Sequence, residues 1–523
     1  MTFCNRVMSQ GDDTEEPSPC AVASPCAVAD FIFEKNRDSM DSTALICVSR
    51  DGTESIYSYR DLDIMSNKAA NMLSNLGLKK GDRVFLYLDR SAETYFFALG
   101  ILKIGAVFCP LFPSFGPDAI EDRFIDCGGK LIIVEDRLRD NVGGFPHLVV
   151  DRNGDFDQKL LSMDSEFICP DINSEDIAII HYTSGTTGKP KGAVHCHGAV
   201  LGHYETTINV LGLTKGTKYW CTADPAWVTG TSYGILGPLS AGAQILVCEP
   251  GYRAHQVLGT LEKYEISIWY TAPTLLRMLM REGKAKSGEY TLPHLKKIFS
   301  IGEALNPEVF HWIDENLGTK VMDTWFQTET GSIMIANDGS FPIKPSSMGK
   351  PVLGINAGIL DEDYNDADIG VKGSLALRTP WSSMFRDYWG NRNKYESRFH
   401  KGWYITGDLA YRDEEGYFYF VSREDDVINT AGHLLSPYEV EMVLASHPSV
   451  EEVAVAGMPD KIMGEAVKAC IVLKENYEPS PKLQMEYRML VRNRLSPFAS
   501  PQKIEFVESI PKTESGKTIR HMG

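Results

Sequence analysis

The chain has 523 residues, more than one hydrophobic core normally supports, so at least two domains are expected. It is 43% hydrophobic and 23% charged with a formal net charge of −18, which suits a soluble globular protein and argues against nonspecific binding to nucleic acid or anionic membranes. No run approaches the ~20 apolar residues of a membrane span, and the N-terminus lacks a basic segment followed by an apolar one, so a cytoplasmic protein with neither nucleic acid nor membrane as partner is expected.

Residues 1–30 are polar and irregular, with "SPCAVA" at 18–23 repeated at 24–29, and read as a flexible tail. From Asp82 the pattern becomes strand, helix, strand: "DRVFLYL", "AETYFFALGILKIG", "AVFCPLF". Further apolar runs follow in "KLIIVED", "DIAIIHY", "QILVCEP", "ISIWYTA" with the helix "PTLLRMLM", and "KKIFSIG" with the helix "PEVFHWIDENLG". Such alternation predicts an α/β fold whose parallel-rich sheets are covered by helices on both faces. Composition changes at the charged "SREDD", which places a boundary near Arg423–Asp426 and divides the chain into a large unit, 31–424, and a small one, 425–523. The small unit should be α+β: Ser436-Pro437-Tyr438-Glu439 has the form of a capping box, and two short strands ("VEEVAVAG", "AVKACIVLK"), a helix around "EYRMLVRNRL" and a strand "KIEFVES" follow.

The 11 cysteines are scattered without a C-x-x-C pair and read as reduced thiols. His195-Cys196-His197 lacks a second ligand cluster at zinc spacing, which argues against a metal site there. More telling is "HYTSGTTGKPKG", residues 181–192, at the end of an apolar run. Glycine lets backbone N–H groups approach a ligand, and hydroxyls with Lys189 and Lys191 suit phosphate oxygens, although a solvated turn has the same composition. The strict P-loop pattern fails because Gly188-Lys189 is followed by Pro190, and the later Gly516-Lys517-Thr518 fails because Pro511 stands where the first glycine should be.

Four further stretches place polar groups where packing does not require them: "DTWFQTETG" (323–331), "YITGD" (404–408), "SREDDVINTAGH" (422–433) and "PKTESGKTIR" (511–520). Together and in this order, the five resemble the adenylate-forming superfamily of acyl-CoA synthetases, adenylation domains and luciferases over nearly the whole chain after the tail. "WCTADPAWVTGTSYGILGPLSAGA", "SIGEALNPE" and "IKPSSMGKP" are most similar to the shorter AMP-forming acetyl-CoA synthetases.

The resemblance implies a large domain with a small mobile lid, and a two-step reaction using ATP, Mg²⁺ and CoA. A carboxylate first takes AMP with release of pyrophosphate; the CoA thiol then displaces AMP. Thr183, Ser184, Gly185, Thr186, Thr187, Gly188 and Lys191 would grip the departing pyrophosphate. Gly302, Glu303 and Ala304, with Asp323, Thr324, Trp325, Phe326 and Gln327, would form the adenine side, where Trp325 offers an aromatic face. Thr328 would contact the α-phosphate, and Glu329 would hold Mg²⁺, a hard cation that prefers oxygen. Asp408 would accept from the ribose hydroxyls beside Arg423. Lys517 would be the adenylation lysine, stabilising charge that develops only in the transition state, and the residue on which a regulatory acetyltransferase and deacetylase would act. Asp425 would be the hinge, and Asn429, Ala431, Gly432 and Arg492 would lie near CoA. Leu434 stands where many acetyl-CoA synthetases have arginine, removing one cation from the phosphate side.

The acyl pocket implied by the resemblance is lined by Trp227, Val228, Thr229, Ile301 and Phe326. Phe326 stands where acetate-specific relatives usually carry tryptophan and medium-chain relatives often carry glycine, so the pocket should take acetate first and propionate next. The alternatives are an adenylation enzyme for a longer or substituted acid or for a carrier protein, and a catalytically silent nucleotide-binding regulator.

Overall fold

The computed structural model describes residues 27–152, 154–183, 190–249, 254–282, 290–303, 305–430, 433–460 and 464–512. Ser184–Gly188, Ala304, Ala431, Gly432, Lys517 and the tail up to residue 26 lie outside the described residues, as do the side chains of Asp425, Asn429 and Leu434.

Two parallel-rich sheets dominate the first 350 residues, as the alternating pattern predicts. Among the described residues one sheet has seven strands, in the order Asp387–Tyr388, Lys191–Cys196, Ile177–Thr183, Val107–Pro110, Arg83–Tyr87, Leu131–Glu135 and His147–Val150. Neighbours run parallel from Ile177–Thr183 to the His147–Val150 edge, whereas Lys191–Cys196 returns antiparallel beside Ile177–Thr183. The other sheet has nine strands among the described residues, with six parallel ones at its centre: Val321–Trp325, Lys297–Ser300, Ile268–Thr271, Lys218–Cys221, Gln244–Cys248 and Thr43–Val48.

The helix Ala92–Lys103 explains why the sheets sit together. It is apolar almost all round, and every residue from Thr94 to Lys103 is buried. A helix with no polar face has to be covered on all sides. Its Phe97 and Leu99 join one core with Val84 and Phe108 of the seven-stranded sheet and Leu45 and Ile245 of the nine-stranded one. The helix Tyr59–Asn75, opened by a Ser58–Asp61 capping box, packs on it so closely that a Cβ on Gly100 would lie 2.8 Å from that of Ala69. Both sheets present the C-terminal ends of their parallel strands to the loops that follow, and in open α/β sheets that is where ligands bind.

A third, antiparallel sheet contains Ala357–Leu360, Gly373–Arg378, Trp403–Arg412 and Phe418–Arg423, and it places "YITGD" on a strand rather than in a turn. Beyond it Ile428, Val440, Leu444, Val455, Ile471, Tyr487, Val491 and Ile504 form a core of their own. Ser436 Oγ accepts from the Glu439 N–H at the start of the helix Pro437–Ala445, as the capping pattern predicts. The two expected short strands are in fact long. Val450–Asp460 and Gly464–Leu473 pair as an antiparallel hairpin through Pro459↔Glu465, because Pro459 lies near the turn, where a missing N–H costs little. Arg281–Glu451 at 2.6 Å and Lys372–Glu439 at 2.6 Å tie this C-terminal part to the rest.

Candidate active site

The site is best built from the seven residues Trp325–Gly331, which leave the end of the strand Val321–Trp325. The backbone turns at once: the N–H groups of Thr330 and Gly331 both reach the Gln327 carbonyl at 3.2 Å, and Gly331 adopts φ 75°. A side chain there would also lie 2.4 Å from the Ser383 carbonyl, so glycine is required twice over. The next four carbonyls are each taken by a donor from elsewhere in the chain. His195 Nε2–H donates to Thr328 O at 2.8 Å, and the Phe385 N–H to Glu329 O at 3.0 Å. Trp381 Nε1 and Ser383 Oγ donate to Thr330 O at 2.9 and 2.7 Å, and Ser232 Oγ to Gly331 O at 2.9 Å. The turn is thereby preorganised, with its carbonyls facing the protein and the side chains of Thr328 and Glu329 left half-buried.

Glu329 Oε1 accepts from the Tyr388 hydroxyl at 2.7 Å. Among the described residues no three His, Cys, Asp or Glu side chains gather as a metal cage. One oriented carboxylate fits Mg²⁺, which keeps several waters and is usually held by one or two carboxylates together with substrate phosphates. Thr183 and Lys191 face each other across the antiparallel pair Ile177–Thr183 and Lys191–Cys196, holding together the two ends of the glycine-rich loop. The strand starting at Lys191 also supplies His195, so it connects that loop to the Thr328 turn.

Asp408 is 3% exposed, and its register partner on the next strand is Arg423, whose Nη1 lies 3.1 Å from Oδ1. Trp325 Nε1 and Gln327 Nε2 donate to Oδ2 at 3.0 and 2.9 Å. Gln327 is itself oriented by the Thr406 carbonyl and the Tyr404 hydroxyl. Oδ1 has no aligned donor, and this buried acceptor fits a ligand hydroxyl. Burial raises the Asp408 carboxyl above its ordinary range while the Arg423 charge opposes it.

Asp323 is also buried, its carboxyl pushed up to about 7 by desolvation against the Ser300 hydroxyl bond at 2.6 Å. Thr324 is turned inward, bonded to Ser300 O and to the Tyr270 hydroxyl, which makes it a strut between strands rather than a ligand contact. Gly302 takes φ 96° beside Glu303, which pairs with Arg277 and accepts from Thr274 at 2.6 Å. Arg492 is exposed on the last turn of the helix Pro481–Arg494.

The apolar residues named from the sequence converge in part. Val228, Ile301 and Phe326 share one core cluster and, with Thr229, each keep 8–9% exposure, as a narrow lining would. Trp227 packs edge to face on Phe112 in the adjoining cluster. Gly230 makes the bend possible, since a Cβ there would fall 1.9 Å from the Asp224 carbonyl.

The family model described as AMP-binding enzyme matches residues 32–389, and that of the AMP-binding enzyme C-terminal domain matches 439–517. The chain belongs to the AMP-binding enzyme family. It is 42% identical to the acetyl-coenzyme A synthetase of Bacillus subtilis, over 89% of this chain and 84% of that one, and 37% identical to that of Methanothrix thermoacetophila, over 90% and 78%. Among solved structures it resembles an anthranilate CoA ligase, AuaEII, in complex with anthranoyl-AMP (28% identity, TM-score 0.86, 95% and 97% covered). A benzoate CoA ligase from Burkholderia xenovorans is also similar (26% identity, TM-score 0.84, 95% and 99% covered). Among the described residues of this AMP-binding enzyme no helix is long and apolar enough to cross a membrane, and every cysteine is a free thiol.

Tyr388, Trp381, Ser383 and Ser232 were not named as site residues: Ser232 lies within the quoted "WVTGTSY" stretch, and the other three fall outside every motif singled out. The histidines give a pH expectation for this AMP-binding enzyme. His181 and His203 are held neutral by burial with pKa lowered to about 3, and His195 and His197 with pKa lowered to about 4. Each folded value lies below the ordinary 6.5, so stability is fully present above pH 6.5 and declines as pH falls from there toward 4. The loss should be roughly 1 kcal/mol per histidine for each pH unit in that window. Thermal unfolding between pH 7 and 5 should show a steep fall in Tm, and His203→Asn should flatten it by about one proton's slope; an unchanged slope would show that these rings do not resist protonation.

Proposed function

We propose that this AMP-binding enzyme is an AMP-forming short-chain acyl-CoA synthetase that activates a carboxylic acid, acetate first and propionate next, and hands the acyl group to CoA. The observation that supports this most is the single stretch Trp325–Gly331. It joins the apolar lining (Phe326), the partners of the buried Asp408 (Trp325 and Gln327) and the Thr328–Glu329 turn within seven residues. Such a stretch fits a ligand with an acyl group, a ribose and a phosphate in that proximity, which describes an acyl adenylate.

The chemistry then follows from the residues. The acid enters with its chain against Val228, Ile301 and Phe326, so its carboxylate faces the Thr328 turn. A carboxylate oxygen bonds to the α-phosphorus as the bond to the bridging oxygen breaks, and pyrophosphate departs toward the loop between Thr183 and Lys191. Asp408 holds the ribose. Glu329 would hold Mg²⁺, which when bound neutralises phosphate charge. Lys517 supplies the cation at the developing charge, and the CoA thiol, losing its proton, displaces AMP from the acyl carbon.

Incubating the protein with ATP, Mg²⁺, CoA and a panel of acids, with AMP and thioester both quantified, tests this directly. Acetate and propionate should be the best substrates and differ by as little as about tenfold, because one methylene in an apolar pocket is worth only about 1–3 kcal/mol. A preference for hexanoate or an aromatic acid would overturn the short-chain assignment. Thioester formed only with a carrier protein, or no acid-dependent ATP–pyrophosphate exchange, would favour the adenylation-enzyme and regulator readings respectively.

A further inference from the structure

Behind Phe326 stands a second ring, Tyr233, with no solvent exposure. The two meet edge to face, centroids 5.3 Å apart at 77°, and Tyr233 meets a third ring, Tyr270, at 5.8 Å and 64°. Its hydroxyl sits in a complete chain of hydrogen bonds. The Ile333 N–H donates to Tyr233 Oη at 2.6 Å, Oη lies 2.7 Å from Thr206 Oγ1, and Oγ1 donates to the Gly202 carbonyl at 2.6 Å. Ile333 lies two residues beyond the Thr328 turn, so the ring is tied to the same segment that bears Phe326.

The backbone supports a specific purpose. Tyr233 lies in a π-helical stretch, Gly230–Leu236, that begins right after Trp227–Thr229, and Thr206 immediately precedes a second one, Thr207–Leu211. π-helical turns are rare and gather at functional sites, because the extra residue re-aims the side chains around it. A leucine would fill much of the same space without a buried hydroxyl that needs partners. The interior is close-packed, so a Phe326 ring that moves toward Tyr233 meets volume already occupied.

We propose that Tyr233 is a specificity-determining residue, the second layer of an aromatic floor: Phe326 ends the acyl pocket, and Tyr233 keeps Phe326 from yielding to a longer acid. The proposal rests on the reading of Phe326 as the pocket's end. Tyr233 touches no substrate in the intact protein; it acts through Phe326, and becomes the wall itself only when that ring is removed.

The test is kcat/KM for acetate, propionate, butyrate and hexanoate at saturating ATP and CoA, in the wild type, F326G, Y233F, Y233L and F326G/Y233L. Y233L should raise the butyrate-to-acetate ratio about tenfold or more, the discrimination one methylene carries, with the KM for ATP unchanged. Y233F keeps the ring but loses its anchor and should fall between wild type and Y233L. F326G/Y233L should use hexanoate better than F326G. A uniform loss across all four acids in Y233L, with unchanged ratios, would reduce Tyr233 to packing and overturn the proposal. If Y233L does not fold, the milder Y233M takes its place under the same criterion. An F326G profile identical to wild type would instead sink the reading of the pocket, whatever Tyr233 does.

Discussion

Lys517→Ala should lower acid-dependent ATP–pyrophosphate exchange by about a hundredfold or more, equivalent to about 3 kcal/mol of lost transition-state stabilisation. The expectation follows from the charge balance of the first step. Negative charge grows on the bridging oxygen while a second anion attacks, and a flexible ammonium is suited to meet charge that exists only at that moment. Five residues upstream, Lys512, the last described residue, pairs with Glu452 at 2.7 Å and lies near enough to Glu303 to favour its ionised form. Thioester formation from supplied acyl-AMP should largely survive, because that displacement needs no pyrophosphate to leave. Equal loss in both half-reactions would remove Lys517 from the adenylation role.

Asp408→Ala should reduce kcat/KM for ATP by about a hundredfold or more, since hydrogen bonds to a charged group contribute about 1.5–3 kcal/mol each and two ribose hydroxyls would lose their acceptor. The variant also takes the acceptor from the buried Trp325 indole, one of the two acceptors of the Gln327 amide, and the carboxylate that faces the Arg423 charge. Some loss of Tm is therefore expected, and the kinetic readout decides what it means. Asp408→Asn, which keeps one carbonyl oxygen, should recover part of the ATP KM. Lowered stability with an unaltered ATP KM in both variants would make Asp408 a structural strut.

How legible the fold was depended on whether the relevant contacts were local. Long apolar runs such as "KLIIVED" and "KKIFSIG" became parallel strands because both faces of these sheets are covered, and "SPYE" announced its helix through a cap four residues long. The antiparallel pairing of Pro459 with Glu465 was hidden, because the short strand expected at "VEEVAVAG" stops before Pro459 and only its partner strand extends it. At the site, glycines, hydroxyls and carboxylates in clusters marked Thr183, Thr328, Glu329 and Asp408. They did not mark what aims them. Tyr388 and Trp381 look like ordinary core aromatics in sequence, and His195 drew notice as a weak metal motif, whereas its ring N–H in fact secures the Thr328 carbonyl. Thr324 went the other way: inside a polar motif, it turned out to brace neighbouring strands.

The clamp on the Thr328 turn is assembled from afar. Its donors lie 133, 99 and 51 residues away along the chain, on His195, Ser232 and Trp381. Closing loops of that length costs entropy before any contact repays it, and the local bonds to the Gln327 carbonyl leave the four carbonyls that follow without local donors. The clamped shape of the turn thus depends on contacts of high sequence separation rather than on its own seven residues. The shape of those seven residues is accordingly a property of the whole large unit, and a distant substitution at any of these donors reaches it directly.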